Sequence, residues 1–388
     1  AHSTRGRANA LRLALSGQLG PDAMTGDDLH ALFDLCLACK GCKGECPNKV
    51  DVGKMKGELL CRYYQHHGRP LRSTLFSHPA WLGRLQSGPA APALNALLAS
   101  GLSRSILDRA LGIDRRRPLP GYARHRLSTW YRAYRRRRPL PPGAPSVLLF
   151  NDTYMEYHEP EVGQAAIRVL EAAGWAVDLS PPLDSQRPAL SQGHLLLARK
   201  RGVELFRQLD RLCGESRPVL VIEPSCESAL TQDLPDLIGE PALVERVNRH
   251  VTGLEKFLLE LLDEDPDVLP WRRDLGEFDI LLHPHCHQKS LGGGPVAAAL
   301  LRKIPGARVR DSGAGCCGMA GGFGYEKNHY DLSVDVAEHR LLPAIRNLPH
   351  PARIAANGFS CRHQIHDLAG REAEHPVQLI DRFIRTPG

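Results

Sequence analysis

The sequence predicts a multidomain chain: an α-helical cysteine-bearing segment followed by two repeats of one α/β module. Three observations carry this. The chain has 388 residues, room for two or three domains at roughly 100–200 residues each. Its texture changes at Ser146 from helical spacing to short apolar strands alternating with longer amphipathic stretches, the pattern of α/β units. Within that second part, anchors recur at offsets of 134, 132 and 135 residues. They are Val147–Phe150 before Asp152 against Ile280–His283 before Cys286, then Val177–Ser180 before Asp184-Ser185 against Val309–Ser312 before Cys316-Cys317. Val219–Cys226 against Arg353–Cys361 completes the set. A period that agrees within three residues marks an internal repeat.

Composition bounds the rest. At 42% hydrophobic and 24% charged residues, the chain can bury a core. No run approaches ~18 consecutive apolar residues, so no membrane-spanning helix is expected. Residues 1–30 lack the basic-then-apolar pattern of an export signal, and a cytoplasmic location is expected. Eleven cysteines, an odd number in a large chain, argue for metal binding over a disulfide scaffold.

Taken in order, residues 1–100 read as helical. Arg5 to Leu19 has helical spacing and stops at Gly20-Pro21. Asp27-Asp28 opens a second helix through Phe33, and Asp51 caps a third running to about Tyr64. Residues 101–145 read as a basic, proline-rich linker. Between Arg104 and Arg138 there are twelve Arg and two acids, a local charge of +10 that leaves −3 for the remainder of a chain of net +7. Trp130, Tyr131 and Tyr134 lie among them, and Pro141 and Pro142 follow. A basic stripe with aromatics can bind nucleic acid or anionic lipid. No nucleic-acid motif accompanies it, so the expectation is a segment solvated or packed on an acidic neighbour, with no nucleic-acid partner. The first module is placed at residues 146–250 and the second at 277–388.

Cys36-x2-Cys39-x2-Cys42-x3-Cys46-Pro47 has the spacing of a loop that wraps a [4Fe–4S] cluster. Structural zinc more often takes two separated knuckles. In two-cluster ferredoxins the first three cysteines of such a run hold one cluster and the fourth reaches the other. The run here is single, which leaves the fourth ligand of each cluster open. Cys61 reads as a small hydrophobe on the inner face of the third helix.

Cys286, Cys316, Cys317 and Cys361 form a second constellation, each just beyond a predicted strand, where α/β sheets present their sites. Adjacent cysteines are awkward ligands for one tetrahedral zinc but can bridge irons. The expectation is a second iron–sulfur or zinc centre. The first module keeps only Cys226 of this set, with Asp152, Asp184 and Ser185 at the other anchors. Cys226, His285 and His287 are auxiliary candidates, the histidines as ligands or proton carriers together with His283. Cys213, near Arg211 and Glu215, reads as incidental. Gly313–Gly318 matches a dinucleotide G-x-G-x-x-G string, but cysteines fill its variable positions and Met319–Gly322 is a poor helix start.

These runs together resemble a known family. Ser3–Asn9, Cys36–Pro47, Glu159-Pro160-Glu161, Gly315–Gly318 and Phe359–Cys361 are similar to the C-terminal iron–sulfur half of FAD-linked oxidases of the D-lactate/D-2-hydroxyglutarate dehydrogenase type. Related modules occur in glycolate oxidase iron–sulfur subunits. The resemblance implies a ferredoxin-like 4Fe-4S segment followed by two CCG (cysteine-rich) modules. It implies an oxidoreductase in which an FAD domain or subunit upstream oxidises a D-2-hydroxy acid and electrons leave to a quinone or another carrier. Cys36, Cys39 and Cys42 are then expected to bind one cluster and Cys46 the other, with Cys286, Cys316, Cys317 and Cys361 at the CCG centre. Asp184-Ser185-Gln186-Arg187-Pro188 stands where such modules often read Cys-Cys-Gly-Arg-Pro, which puts a first-module cluster in doubt. A run without partner cysteines in a chain beginning at Ala1 rather than Met is expected to be the C-terminal part of a longer enzyme, with peripheral association at the cytoplasmic membrane face as a further expectation. Two other function classes stay open: a thiol-active reductase of heterodisulfide-reductase type working through Cys316-Cys317, and a non-catalytic metal-binding module with a basic binding surface at Arg115–Arg138.

Overall fold

The computed structural model describes residues 2–140, 143–214, 216–349 and 351–385. Ala1, Pro141, Pro142 and Glu215 lie outside these residues.

Seven short parallel strands make two sheets: β1 (Ser146–Leu149), β2 (Ala176–Leu179), β3 (Val219–Val221), β4 (Val251–Gly253), β5 (Phe278–His283), β6 (Ala307–Asp311) and β7 (Arg353–Ala356). The first sheet has the order β2-β1-β3-β4 and the second β6-β5-β7. The first three strands of each repeat thus take the same spatial order, the middle place going to the strand that comes first in sequence. Parallel neighbours require crossover connections, and here these are helical, such as Pro160–Ala172 between β1 and β2 and Gly294–Arg302 between β5 and β6.

Strand alternation divides the cores. Val147 and Leu149 of β1 face one way, with Ile280 and Leu282 of β5, into a core shared by the two sheets. The Pro160–Ala172, Leu254–Glu264 and Pro376–Phe383 helices fill the space between. Leu148 and Phe150 face the other side of the first sheet, and Leu281, Ile354 and Ala356 the other side of the second. Full burial of one such side chain stabilises by about 1.5–3 kcal/mol, so the common helical layer welds the repeats together.

The N-terminal helices follow the caps. Ser3 caps Thr4–Leu15 by accepting from Gly6 N–H, and Asp51 caps Val52–His67 by accepting from Lys54 N–H. The helix beginning at Asp27 ends at Asp34. Leu11, Leu29, Phe33, Val52 and Leu59 meet as a small separate core, and Cys61 is buried on the third of these helices.

The basic segment differs from an extended linker. It contains the helices Gly101–Leu111 and Leu127–Arg137, and its arginines pair with the neighbouring modules. Arg116 meets Asp331, Arg135 meets Glu171, and the fully buried Arg117 meets Asp367 and Gln364. Tyr131 donates to Val177 O and Tyr134 to Glu171. The segment is the packed form of the two expected, held on acidic neighbours. Among the described residues, no helix is long and apolar enough to cross a membrane.

Candidate metal centre

The Cys36–Cys46 run leaves the Asp27–Asp34 helix, turns through a loop and ends in the short helix Gly41–Glu45. Ala38, Lys40 and Lys49 take left-handed φ of 49°, 59° and 54°, a conformation costing of order 1–2 kcal/mol for a non-glycine residue. The other non-glycine residues of this kind among those described are Gln186, one residue after Ser185, and Ala320, beside the Cys316-Cys317 loop. The strain is therefore concentrated at the cysteine loops and the first-module counterpart of one of them.

Lys40 anchors the loop. Its buried ammonium sits 2.8 Å from Asp51 and 2.7 Å from Asp233, which also holds Arg187 at 2.6 Å. Lys56 donates to the carbonyl oxygens of Asp34 and Cys36, at 2.9 and 2.7 Å. Val52 N–H donates to Cys42 Sγ at 3.4 Å. Burial first, then the nearby Cys286, push the Cys39 thiol up to about 11. Cys46 differs: backbone N–H groups of Val50 and Asn48 pull its thiol below the ordinary range. Cys39 thus lies among Cys36, Cys42 and Cys286, while Cys46 sits at the wetter end of the run.

The second constellation comes together from three separate stretches of the sequence. Cys286 opens the Cys286–Ser290 helix after β5, Cys316 and Cys317 follow β6, and Cys361 lies in the Phe359–Ala369 helix after β7. Their thiols are hydrogen-bonded in series, Cys286 to Cys316, Cys316 to Cys317 and Cys317 to Cys361. The bond to Cys316, followed by burial, holds the Cys286 thiol well above its ordinary range. His283 adds a nitrogen within 4.8 Å of the Cys317 and Cys361 sulfurs, and its buried Nε2 has no hydrogen-bond partner. Four converging thiols with an unpartnered imidazole nitrogen are soft donors that fit iron or zinc. Gly318 (φ +91°) makes the loop possible, since a Cβ there would lie 2.2 Å from Ser333 O.

His285 and His287 lie on either side of Cys286 and face different partners. His285 accepts from His287 N–H and stands 4.0 Å from Glu223. His287 joins Ser228 at 2.6 Å to Ala38 O at 3.1 Å, bridging the second constellation to the first loop. Cys226 is placed elsewhere. It accepts from Ser185 Oγ at 3.0 Å in a buried group with Asp152, Asp184 and Glu223. The Ser185–Cys226 contact is the first-module counterpart of Cys317–Cys361. Cys213 is buried at the end of the Leu195–Cys213 helix. The G-x-G-x-x-G string is followed by a 3-10 turn at Phe323–Tyr325, not by a phosphate-binding helix.

An apolar cavity of about 310 Å³ opens onto this centre. Leu37 and Ala38 of the first loop, with Cys286, Cys316 and Cys317, form one end, and Tyr154, Arg187 and Ser225 of the first module lie opposite. Sequence reasoning missed this cavity, the Lys40 anchor and Glu223, because each depends on residues far apart in the chain. The repeat itself held a signal for the cavity, since it placed first-module residues opposite the cysteine loops.

No family model matches the chain. It is 27% identical over 342 residues to an iron-pathway relative from Escherichia coli strain K12, one of the subunits of its anaerobic glycerol-3-phosphate dehydrogenase, spanning 86% of this chain and 82% of that one. It is 25% identical over 360 residues to the D-2-hydroxyglutarate dehydrogenase of the same organism, spanning 90% of this chain but 34% of that enzyme. A probable glycolate oxidase iron-sulfur subunit of Bacillus subtilis is 24% identical over 343 residues, 82% of this chain and 73% of that one. The chain thus spans about a third of the D-2-hydroxyglutarate dehydrogenase and most of the two subunits. It is a homologue of all three, and its kinship is with the iron–sulfur half of FAD-linked oxidases.

Proposed function

We propose that this chain is the iron–sulfur electron-transfer portion of a flavin-dependent 2-hydroxy-acid dehydrogenase, fed by FAD on a preceding domain or a partner subunit and delivering to a quinone or another carrier. Cys36, Cys39, Cys42 and Cys46 are assigned to [4Fe–4S] chemistry, and Cys286, Cys316, Cys317 and Cys361 to a second iron–sulfur centre, with zinc as the competing metal there. When bound, such groups supply outer-sphere transfer of one electron at a time. The observation that carries the reading is the approach of Cys39 to Cys286 and Cys316, with His287 holding the two loops together. Lys40, Lys56 and the backbone donors fix the first loop, and the apolar cavity wall keeps water from the second. The site of action is proposed as cytoplasmic.

The test is anaerobic purification with iron and sulfide analysis and electron paramagnetic resonance. A brown protein whose visible absorbance bleaches with dithionite is expected; a colourless protein holding only zinc would overturn the reading. A thiol-active reductase is the second reading, favoured by the cavity that exposes Cys286, Cys316 and Cys317 to an occupant. Turnover of a disulfide that disappears in Cys317→Ser, with the first-loop signal intact, would select it; unchanged turnover would exclude it.

A further inference from the structure

The helices Leu71–Phe76, Pro79–Gln86, Ala91–Ala99 and Gly101–Leu111 are apolar on more than one side. Trp81, Leu85, Leu97, Leu102 and Ile106 are 55–75% exposed, and most of the strongly exposed large apolar side chains of the described chain fall on these helices. Four of the five adjoin, in sequence, a residue lining the cavity: Trp81 beside Leu82, Leu85 beside Gln86, Leu97 beside Leu98 and Ile106 beside Leu107. Neighbours on a helix are turned by about 100°. Each of these helices therefore carries apolar surface from the cavity wall round to the outside.

The charge on this face has one sign. From Leu59 to Leu107 there is no Asp or Glu, while Arg62, Arg69, Arg72, Arg84 and Arg104 fall within it. Arg62, Arg69 and Arg84 are exposed. Exposed Trp and Leu interleaved with Arg is the composition that settles at the headgroup boundary of a membrane, where apolar side chains enter the acyl region and guanidinium groups meet lipid phosphates. Keeping these apolar residues in water is unfavourable; a protein partner of ordinary polarity would not select an acid-free face of this extent.

We propose that this face docks on an anionic phospholipid bilayer, with the mouth of the apolar cavity turned toward the lipid. A lipid-soluble molecule can then pass from the acyl region to the cysteine centre without crossing water. The docking goes beyond the electron-transfer reading and does not require it.

The experiment uses the full cluster-loaded chain and vesicles of phosphatidylglycerol with phosphatidylethanolamine, against vesicles of phosphatidylcholine alone. Co-sedimentation with the anionic vesicles is expected, weakened by salt, and reduced at least ~10-fold in the double variant Leu102→Glu with Ile106→Glu. Brominated lipid should quench the tryptophan emission of the unmutated chain and quench it less in Trp81→Phe, which keeps the test open if the double variant fails to fold. Absence of binding to the anionic vesicles, equal binding by a folded double variant, or binding to a partner protein in place of vesicles would each overturn the proposal. Vesicle binding is read without turnover, so its failure leaves the electron-transfer reading standing, and a cluster-free protein that still binds vesicles leaves this one standing.

Discussion

His287 Nε2 lies 3.1 Å from the carbonyl oxygen of Ala38, so an imidazole beside one group of cysteines holds the loop that carries the other. Burial, then the charge of Arg187, keep this ring neutral, well below its ordinary pKa. A neutral ring has one N–H. It donates from Nε2 to Ala38, and Nδ1 accepts from Ser228 Oγ–H at 2.6 Å.

Replacing His287 with Ala should therefore loosen the contact between the loops without removing a cysteine. The expected outcome is an unchanged iron and sulfide content, a stability loss of about 1–3 kcal/mol for the stranded carbonyl and hydroxyl, and slower electron exchange between the centres. Chemical denaturation and rapid-freeze spectroscopy read these separately. Ser228→Ala should give the same direction with a smaller effect.

Lys40 offers a sharper test of the loop anchor. Its side chain is 3% exposed and that of Asp233 6%, so Asp233→Ala leaves a buried ammonium with Asp51 alone and also releases Arg187. Breaking a buried pair by deleting one partner costs about 3–5 kcal/mol. Denaturant midpoints should fall accordingly, while Asp233→Ala combined with Lys40→Met should recover much of the loss.

Asp152 predicts a pH dependence. Burial, then the neighbouring Glu223, lift its carboxyl to about 7, while Oδ1 caps the Thr153–Tyr157 helix and Oδ2 has no partner. A carboxyl raised above its unfolded value favours the folded state when protonated. That contribution is full below the unfolded value near 3.8 and is lost as pH rises through about 7. Asp152→Asn keeps the capping oxygen and removes the charge. It should be more stable than the parent at pH ~8, by as much as about 4 kcal/mol, and nearly equal to it at pH ~4. Thermal unfolding at the two pH values checks the sign.

Cysteine replacements should separate the two centres. Cys317→Ser is expected to remove the metal held by the Cys286–Cys361 group and leave the first-loop signal, and Cys42→Ser the reverse. Metal analysis and low-temperature spectra of each variant measure the split. A chelator that strips both should lower the melting temperature of the parent more than that of either variant, since bound metal stabilises only the folded state.

The sequence by itself determined what is periodic or local. Caps at Ser3 and Asp51, the strands Val147–Phe150 and Ile280–His283, and the repeat that produces two sheets of like order are all written in short-range patterns, because helix and strand periods are properties of neighbouring residues. The Cys36–Cys46 spacing is local in the same way. Tertiary structure alone decided how the cysteine groups meet. Cys39 and Cys286 are far apart in the chain, and only the packing of Gly41–Glu45 on Cys286–Ser290, fixed by Lys40, Asp233 and His287, brings them together. The same holds for the basic segment. Its charge was plain, but whether Arg117 lay in water or against Asp367 depended on acids supplied from beyond residue 330, and burial of a charge is settled by the partner that neutralises it.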